Sequence, residues 1–203
     1  MKIICIGRNY SDHAREMSAA VPEEPVFFLK PDTALLSTNR PFFIPEFSQE
    51  VHYEAELVYR ICKNGKYIPQ RFAHHYVDAV ALGIDFTARD IQSELKKKGL
   101  PWEKAKAFDG SAACGKFIPL SGNFVNNPIL FELKKNGTLV QHASSEEMIF
   151  KIDYLISYVS MFITLRQGDY LYTGTPSGVG QVFVGDELQG FINGQLSLRI
   201  KIK

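Results

Sequence analysis

Two glutamates that lie two residues apart could bind a metal ion. Glu54 and Glu56 fall in residues 52–61, where apolar and polar side chains alternate with the period of a half-buried β-strand. Side chains two apart leave the same face of a strand, about 7 Å apart at Cα, and can converge on one cation. A third acid, Asp85, ends an apolar segment in which an unpaired charge would be costly. Carboxylate oxygens suit Mg²⁺ or Mn²⁺, and the alternative is a solvated polar face.

His13 and Glu16 could form a general base and its orienting carboxylate. They are three residues apart in a short helix predicted over residues 10–17, so they share one face of it. There the carboxylate can hold the imidazole and favour one tautomer. The alternative is a surface pair without a catalytic function.

Three further side chains could bind a carboxylate or an oxyanion. Arg89 and Gln92 share one face of a helix predicted just after Asp85, and Lys106 follows a Gly-Leu-Pro-Trp turn. Arginine, glutamine and lysine are hydrogen-bond donors suited to such groups. Each alone is more typical of a solvated surface, and a neighbouring metal would favour the functional interpretation.

The elements that must position these residues are mostly strands joined by short turns. The sequence predicts strands over 2–6, 25–31, 52–61, 76–86 and 196–202, hairpin turns at 135–137 and 193–194, a helix capped by Thr87 and ended by Gly99, and a helix over 153–165. A further strand leads into residues 174–180, a glycine-rich loop that lacks the order of a phosphate-binding loop but permits close backbone approach to a ligand. Strands outnumber helices, which predicts a β-rich α+β fold.

Composition limits the class of protein. The chain has 203 residues, of which 45% are hydrophobic and 22% charged, and it shows no repeat or linker, so we expect one folded domain over 1–203. A net charge of +1 argues against nucleic-acid binding. The apolar stretch at 154–165 is too short to span a membrane, and the amino-terminal apolar run is too short for a signal peptide. Three cysteines without a C-x-x-C pair argue against disulfides and favour a cytoplasmic location.

In their shared order these segments resemble the fumarylacetoacetate hydrolase family, specifically its short acylpyruvase branch. The segments are GRNY at 7–10 followed by His13 and Glu16, FLKP at 28–31, YEAEL at 53–57, DFTARD at 85–90, KGLPW at 98–102, KAFD at 106–109 and GDYLYTGTP at 168–176. The resemblance implies the mixed β-roll of that family's C-terminal domain, with short peripheral helices, and a homodimer.

The resemblance also implies a role for each candidate. The metal ligands would be Glu54, Glu56 and Asp85, the water-activating dyad His13 with Glu16, the main cationic donor near the reacting carbonyl Lys106, and the substrate-lining residues Arg89, Gln92, Lys30 and Thr175.

These roles predict cleavage of a carbon–carbon bond in an acylpyruvate-type 2,4-dioxo acid. Mg²⁺ or Mn²⁺ would bind the substrate through its carboxylate and 2-oxo oxygens and would stabilise a pyruvate enolate, while His13 takes a proton from the attacking water. Two reactions are alternatives. Decarboxylation of oxaloacetate would need the same enolate, and isomerisation of a 5-carboxymethyl-2-hydroxymuconate-type diacid would need a metal-stabilised dienolate. A non-enzymatic alternative is a metal-stabilised module that binds a small acid.

Overall fold

Strands are the most frequent regular element of the structure, a computed structural model that describes residues 1–11, 22–36, 40–120 and 127–203. The strands are β1 (Ile3–Gly7), β2 (Val26–Lys30), β3 (Val51–Tyr53), β4 (Ala55–Ile61), β5 (Val77–Asp85), β6 (Thr87–Ala88), β7 (Ala112–Cys114), β8 (Ile118–Pro119), β9 (Leu130–Lys135), β10 (Thr138–Ser144), β11 (Tyr170–Tyr172), β12 (Gly180–Gln181), β13 (Glu187–Ile192) and β14 (Gln195–Lys201). Over the same ranges the α-helices are α1 (Arg89–Lys98), α2 (Glu103–Lys106) and α3 (Ile152–Phe162), and short 3-10 helices cover Asp32–Ala34, Gln70–Tyr76 and Ser145–Glu147. The predicted β-rich α+β fold is confirmed.

The strands pair into three sheets. The largest has the order β2-β1-β11-β4-β5-β7, and β8 also pairs with β5. It is mixed, because β1 and β11 run parallel while its other pairs are antiparallel. A second sheet has the order β10-β9-β13-β14 and a small one the order β12-β3-β6. The second sheet packs against the first so closely that a Cβ at Gly190 of β13 would overlap the side chain of Leu82 on β5.

The acid-bearing strand differs from its prediction. A single half-buried strand over residues 52–61 was expected, but the pairing breaks at Glu54 and separates β3 from β4. β4 is also buried along nearly its whole length on both faces, and β11 and β5 pair with its two edges. The polar side chains at its start therefore face an enclosed cluster rather than bulk water.

Helix α1 begins differently from the sequence prediction and ends as predicted. Thr87 is not its cap: the residue before the helix is Ala88, which makes no side-chain capping bond, and Thr87 belongs to β6. At the other end Gly99 adopts the left-handed conformation of a C-cap, as predicted. Helix α3 ends at Phe162 rather than at residue 165, because Ile163 is already extended.

Both predicted hairpin turns are confirmed. Asn136-Gly137 joins β9 to β10 and Asn193-Gly194 joins β13 to β14, and all four residues have positive φ angles, as a type I′ turn requires. The alternation predicted for 196–202 fails at Leu196, which is exposed, because a register shift in the β13–β14 pair turns Ser197 inward.

No helix in the described ranges is both long enough and apolar enough to cross a membrane. The predicted helix over 10–17 lies mostly outside the described residues.

Candidate active site

Three buried carboxylates meet where β4 begins and β5 ends. These strands are antiparallel, with Ala55 opposite Ile84, so the start of one adjoins the end of the other. The backbone N–H of Asp85 donates to the carbonyl of Glu54 over 2.9 Å, and this bond holds the end of β5 beside the start of β4. One carboxylate oxygen from each of Glu54, Glu56 and Asp85 lies within 4.8 Å of the other two. The convergence expected from the sequence is present.

Basic side chains contact two of these acids directly. The ammonium group of Lys106 donates to Glu54 Oε2 over 2.7 Å and to Asp85 Oδ2 over 2.8 Å. Arg89 donates to Glu54 Oε1 over 2.6 Å. Lys30 Nζ lies 2.6 Å from Asp85 Oδ1. Counted as ionised, three acids and three bases balance, so the cluster carries no net charge of its own.

The environment shifts the pKa values within the cluster. Burial, followed by the nearby charges of Asp85 and Glu54, raises the pKa of Glu56 well above its ordinary value. Burial opposes the charged form of Lys106, but the Asp85 and Glu54 carboxylates outweigh it and raise the pKa of the ammonium group. A buried carboxylate of this kind is stabilised in its charged form by a cation close to it.

Thr87 belongs to this cluster, although its sequence position suggested a helix cap. Its hydroxyl donates to Glu54 Oε1 over 3.0 Å and accepts from Lys106 Nζ over 2.6 Å. The sequence signal that could have located it is its position two residues after Asp85, at the same strand end. The sequence favours a helix cap at Thr87, because an acid, Asp90, follows it at the spacing of a capping box.

The glycine-rich loop closes over Glu56. The backbone N–H of Gly174 donates to Glu56 Oε2 over 2.7 Å. Gly174 has a φ of +90°, and a Cβ there would lie 2.8 Å from the Cβ of Asn9. Asn9 is fully buried and donates to the carbonyl of Thr173 over 2.8 Å, so it fixes this loop against the end of β1.

The three acids line one pocket together with Arg89 and Lys106. Its lining residues are Ile6, Gly7, Arg8, Phe28, Glu54, Glu56, Asp85, Arg89, Gln92, Lys96, Trp102, Lys106 and Thr175. Of the predicted substrate-lining residues, Arg89, Gln92 and Thr175 are among them. Arg89 also donates to Gln92 Oε1 over 2.7 Å, which holds the two side chains together. Lys30 is not part of the lining, because its ammonium group lies behind Asp85 and donates to the carbonyl of Ser111.

Two basic residues at this pocket were not predicted. Arg8 has a left-handed backbone, with a φ of +58°, which is uncommon for a non-glycine residue and typical of functional positions. Lys96 lies two turns along α1 from Arg89, with its ammonium group 5.5 Å from the ring centroid of Trp102. The sequence around Lys96 gives no signal of a functional role, because two further lysines follow it and such a run is typical of a solvated helix end.

The predicted dyad, His13 and Glu16, lies outside the described residues. Its catalytic role therefore stays a prediction.

The donor set fits a hard divalent cation. All three candidate ligands are carboxylates, and all three are at least 95% buried. Oxygen-only ligands favour Mg²⁺, Mn²⁺ or Ca²⁺ over zinc, which in proteins takes mainly nitrogen and sulfur ligands.

Comparison with known proteins identifies the family. Residues 2–202 match the model of the fumarylacetoacetate (FAA) hydrolase C-terminal domain. The chain belongs to the fumarylacetoacetate hydrolase family. Among its relatives is the mouse protein named oxaloacetate tautomerase FAHD1, mitochondrial, which is 45% identical over 99% of this chain and 91% of its own length. Oxaloacetate tautomerase YcgM of Escherichia coli is 45% identical over 92% of this chain and 86% of its own length.

A solved structure of the family has the same fold. Fumarylpyruvate hydrolase from Pseudomonas aeruginosa, in complex with Mn²⁺ and pyruvate, superimposes with a TM-score of 0.93 at 37% identity, covering 100% of this chain and 89% of that one. The fold expected from the resemblance is thus confirmed.

Proposed function

We propose that this member of the fumarylacetoacetate hydrolase family is a metal-dependent enzyme that interconverts the keto and enol forms of a 2-oxo dicarboxylic acid, with oxaloacetate as the candidate substrate. The observation that carries the proposal is the convergence of three buried carboxylates with the Lys106 ammonium group at one pocket. The relatives named oxaloacetate tautomerases, 45% identical to this chain, support the choice of reaction.

The metal and the side chains would have different roles in the reaction. A divalent ion held by Glu54, Glu56 and Asp85 would polarise the 2-oxo group of the substrate and acidify the hydrogens on C3. Lys106 stays charged, because its pKa is raised, so it acts as a donor to an oxygen that gains negative charge rather than as a base. Enolisation moves one proton from C3 to a base and places one proton on the 2-oxo oxygen. His13 is our proposed base, with Glu16 orienting it.

Charge favours a substrate with two carboxylates. The charges of the three acids balance those of the three bases that contact Glu54 and Asp85, so a bound divalent ion leaves two positive charges for the substrate to neutralise. Arg8 and Lys96 also line the pocket and have no ion-pair partner among the described residues. A dicarboxylate would satisfy these charges better than a monocarboxylate.

Hydrolysis of an acylpyruvate is the second candidate, and the likeness to the fumarylpyruvate hydrolase favours it. It would use the same substrate-binding groups, with His13 taking a proton from water that attacks the distal carbonyl. The products would be pyruvate and a carboxylic acid.

The decisive experiment compares these reactions in one preparation. Enol oxaloacetate is mixed with the Mg²⁺-loaded protein and its ultraviolet absorbance is followed to the keto form, while pyruvate release is measured separately from fumarylpyruvate and from oxaloacetate. We expect the absorbance decay to accelerate in proportion to protein concentration, and to lose this acceleration with a chelator or with Glu56→Gln. Glu94→Gln, which changes an exposed glutamate on α1, is the matched control.

Two outcomes would contradict the proposal. Unaccelerated decay together with rapid pyruvate release from fumarylpyruvate would assign hydrolysis instead. Chelation that lowers thermal stability while the intact protein turns over none of the substrates would favour the non-enzymatic module.

A further inference from the structure

Gln141 is buried between the two larger sheets and lies outside the pocket lining. We infer that it is a positioning residue, which fixes the hydroxyl of Thr175 as a hydrogen-bond donor to the substrate carboxylate. The inference rests on the proposed function, because it concerns the same pocket.

The orientation of the Gln141 amide is determined by its surroundings. The backbone N–H of Ala55 donates to Gln141 Oε1 over 2.9 Å, and only the carbonyl end of an amide can accept this bond. The NH₂ end therefore donates to Thr175 Oγ1 over 2.9 Å and to the carbonyl of Pro176 over 3.0 Å. Gln141 is only 2% exposed, so water cannot replace these three partners. The amide therefore has a single orientation.

This orientation decides what the Thr175 hydroxyl can do. A hydroxyl has one hydrogen to donate, and an oxygen that already accepts a bond from Gln141 keeps that hydrogen for another partner. Among the described residues no acceptor receives it. Thr175 lines the pocket together with the three carboxylates and the basic side chains. The hydrogen is thus available to an anionic oxygen of a ligand, and a carboxylate is the group that the basic lining would attract.

The same side chain also sets the distance between two parts of the site. Ala55 lies between Glu54 and Glu56 on the acid-bearing strand, whereas Thr175 lies in the glycine-rich loop. Gln141 comes from β10 of the second sheet, so one buried amide ties that sheet to both segments. Donors must be placed to within fractions of an ångström to bind well, and this link supplies such placement.

The test is a double-mutant cycle read by ligand binding rather than by turnover. Pyruvate binding to the Mg²⁺-loaded protein is titrated calorimetrically for the wild type, Gln141→Met, Thr175→Val and the double variant. Methionine matches the length of glutamine, carries no charge and cannot donate to Thr175. We expect each single variant to raise the Kd about tenfold, the usual scale of one lost hydrogen bond to a charged group. When Thr175→Val is already present, we expect Gln141→Met to have little further effect.

Controls separate positioning from general damage. Gln195→Met changes an exposed glutamine on β14 and should bind pyruvate like the wild type. Thr175→Ser restores a hydroxyl and should recover most of the affinity that Thr175→Val loses. If Gln141→Met fails to fold, Gln141→Glu takes the place of Gln141→Met in the cycle. A glutamate still accepts the bond from Ala55 but cannot donate one to Thr175. Equal Kd increases from the Gln141 substitution with and without Thr175→Val would overturn the inference, as would unaltered binding by Thr175→Val alone. Failure of the wild type to bind pyruvate would instead count against the proposed function.

Discussion

Lys106 is the residue on which the charge balance of the site depends most. Its ammonium group makes three short contacts, to Glu54, Asp85 and Thr87, and it is 3% exposed. A buried ammonium group of this kind offers a fixed positive charge in a region of low dielectric constant, where it acts strongly on a developing oxyanion. The reaction would therefore depend on this charge as well as on the metal.

Replacing Lys106 by methionine should lower kcat for enolisation by roughly a hundredfold or more, the scale of a lost oxyanion donor. Steady-state kinetics at saturating Mg²⁺ would measure the effect. Lys97→Met is the matched control, because Lys97 is an exposed lysine on α1. A Lys106→Met enzyme that folds, binds metal and retains its kcat would show that the ammonium group has no part in the chemistry.

Gly174 shows how a single loop residue positions a carboxylate. Its positive φ is one that an L-residue rarely adopts, and its neighbour Asn9 leaves no room for a Cβ. The bond from its N–H to Glu56 depends on this close approach.

Gly174→Ala should lower the free energy of unfolding by about 1–3 kcal/mol and weaken metal binding, because both the backbone conformation and the contact with Asn9 are disturbed. Chemical denaturation and a Mg²⁺ titration would measure the two effects. Gly137→Ala is the control, since Gly137 also has a positive φ, +81°, but open space around it. Equal losses of stability in the two variants would leave only the backbone conformation as the cause.

Asp90 fastens the start of α1, the helix that carries Arg89 and Gln92. Its carboxylate accepts hydrogen bonds from Ser48 Oγ over 2.7 Å and from the backbone N–H of Gln49 over 2.9 Å. Burial opposes its charge, but these bonds outweigh burial and lower the pKa of Asp90 below its ordinary value.

This pKa shift predicts the sign of a pH effect. Because the folded state holds the proton of Asp90 less tightly than the unfolded state, the stabilisation is complete above the unfolded pKa of about 3.9 and is lost as the pH falls through the lower folded value. Asp90→Asn should therefore be less stable than the wild type at pH 7, and the difference should shrink below about pH 4. Urea denaturation at the two pH values would measure it, and a difference independent of pH would contradict the assignment.

For the molecule as a whole, the features that could be predicted from the sequence are those that depend on neighbouring residues, such as strand ends and tight turns. The two-residue spacing of Glu54 and Glu56 and the end of an apolar strand at Asp85 located the acids correctly, because both strands pair in the register that brings these ends together. The hairpin turns were predictable for the same reason, since Asn-Gly pairs favour the required backbone angles.

Contacts between distant segments could not be predicted in this way. The bond from Ala55 to Gln141 spans 86 residues, and the bond that holds the Lys30 ammonium group behind Asp85, to the carbonyl of Ser111, spans 81. Both depend on how elements pack, which no local spacing records. The single domain over 1–203, the homodimer and the cytoplasmic location stay predictions.

The most direct test of the central claim is an anomalous-scattering crystal structure of the protein grown with Mn²⁺. We predict one manganese ion bonded to oxygens of Glu54, Glu56 and Asp85 at about 2.2 Å, with its remaining positions open to water or to a 2-oxo acid. The same crystals of Glu56→Gln should show a weakened or absent peak. A manganese peak elsewhere, or none at saturating Mn²⁺ while the three carboxylates keep the arrangement described above, would contradict the account.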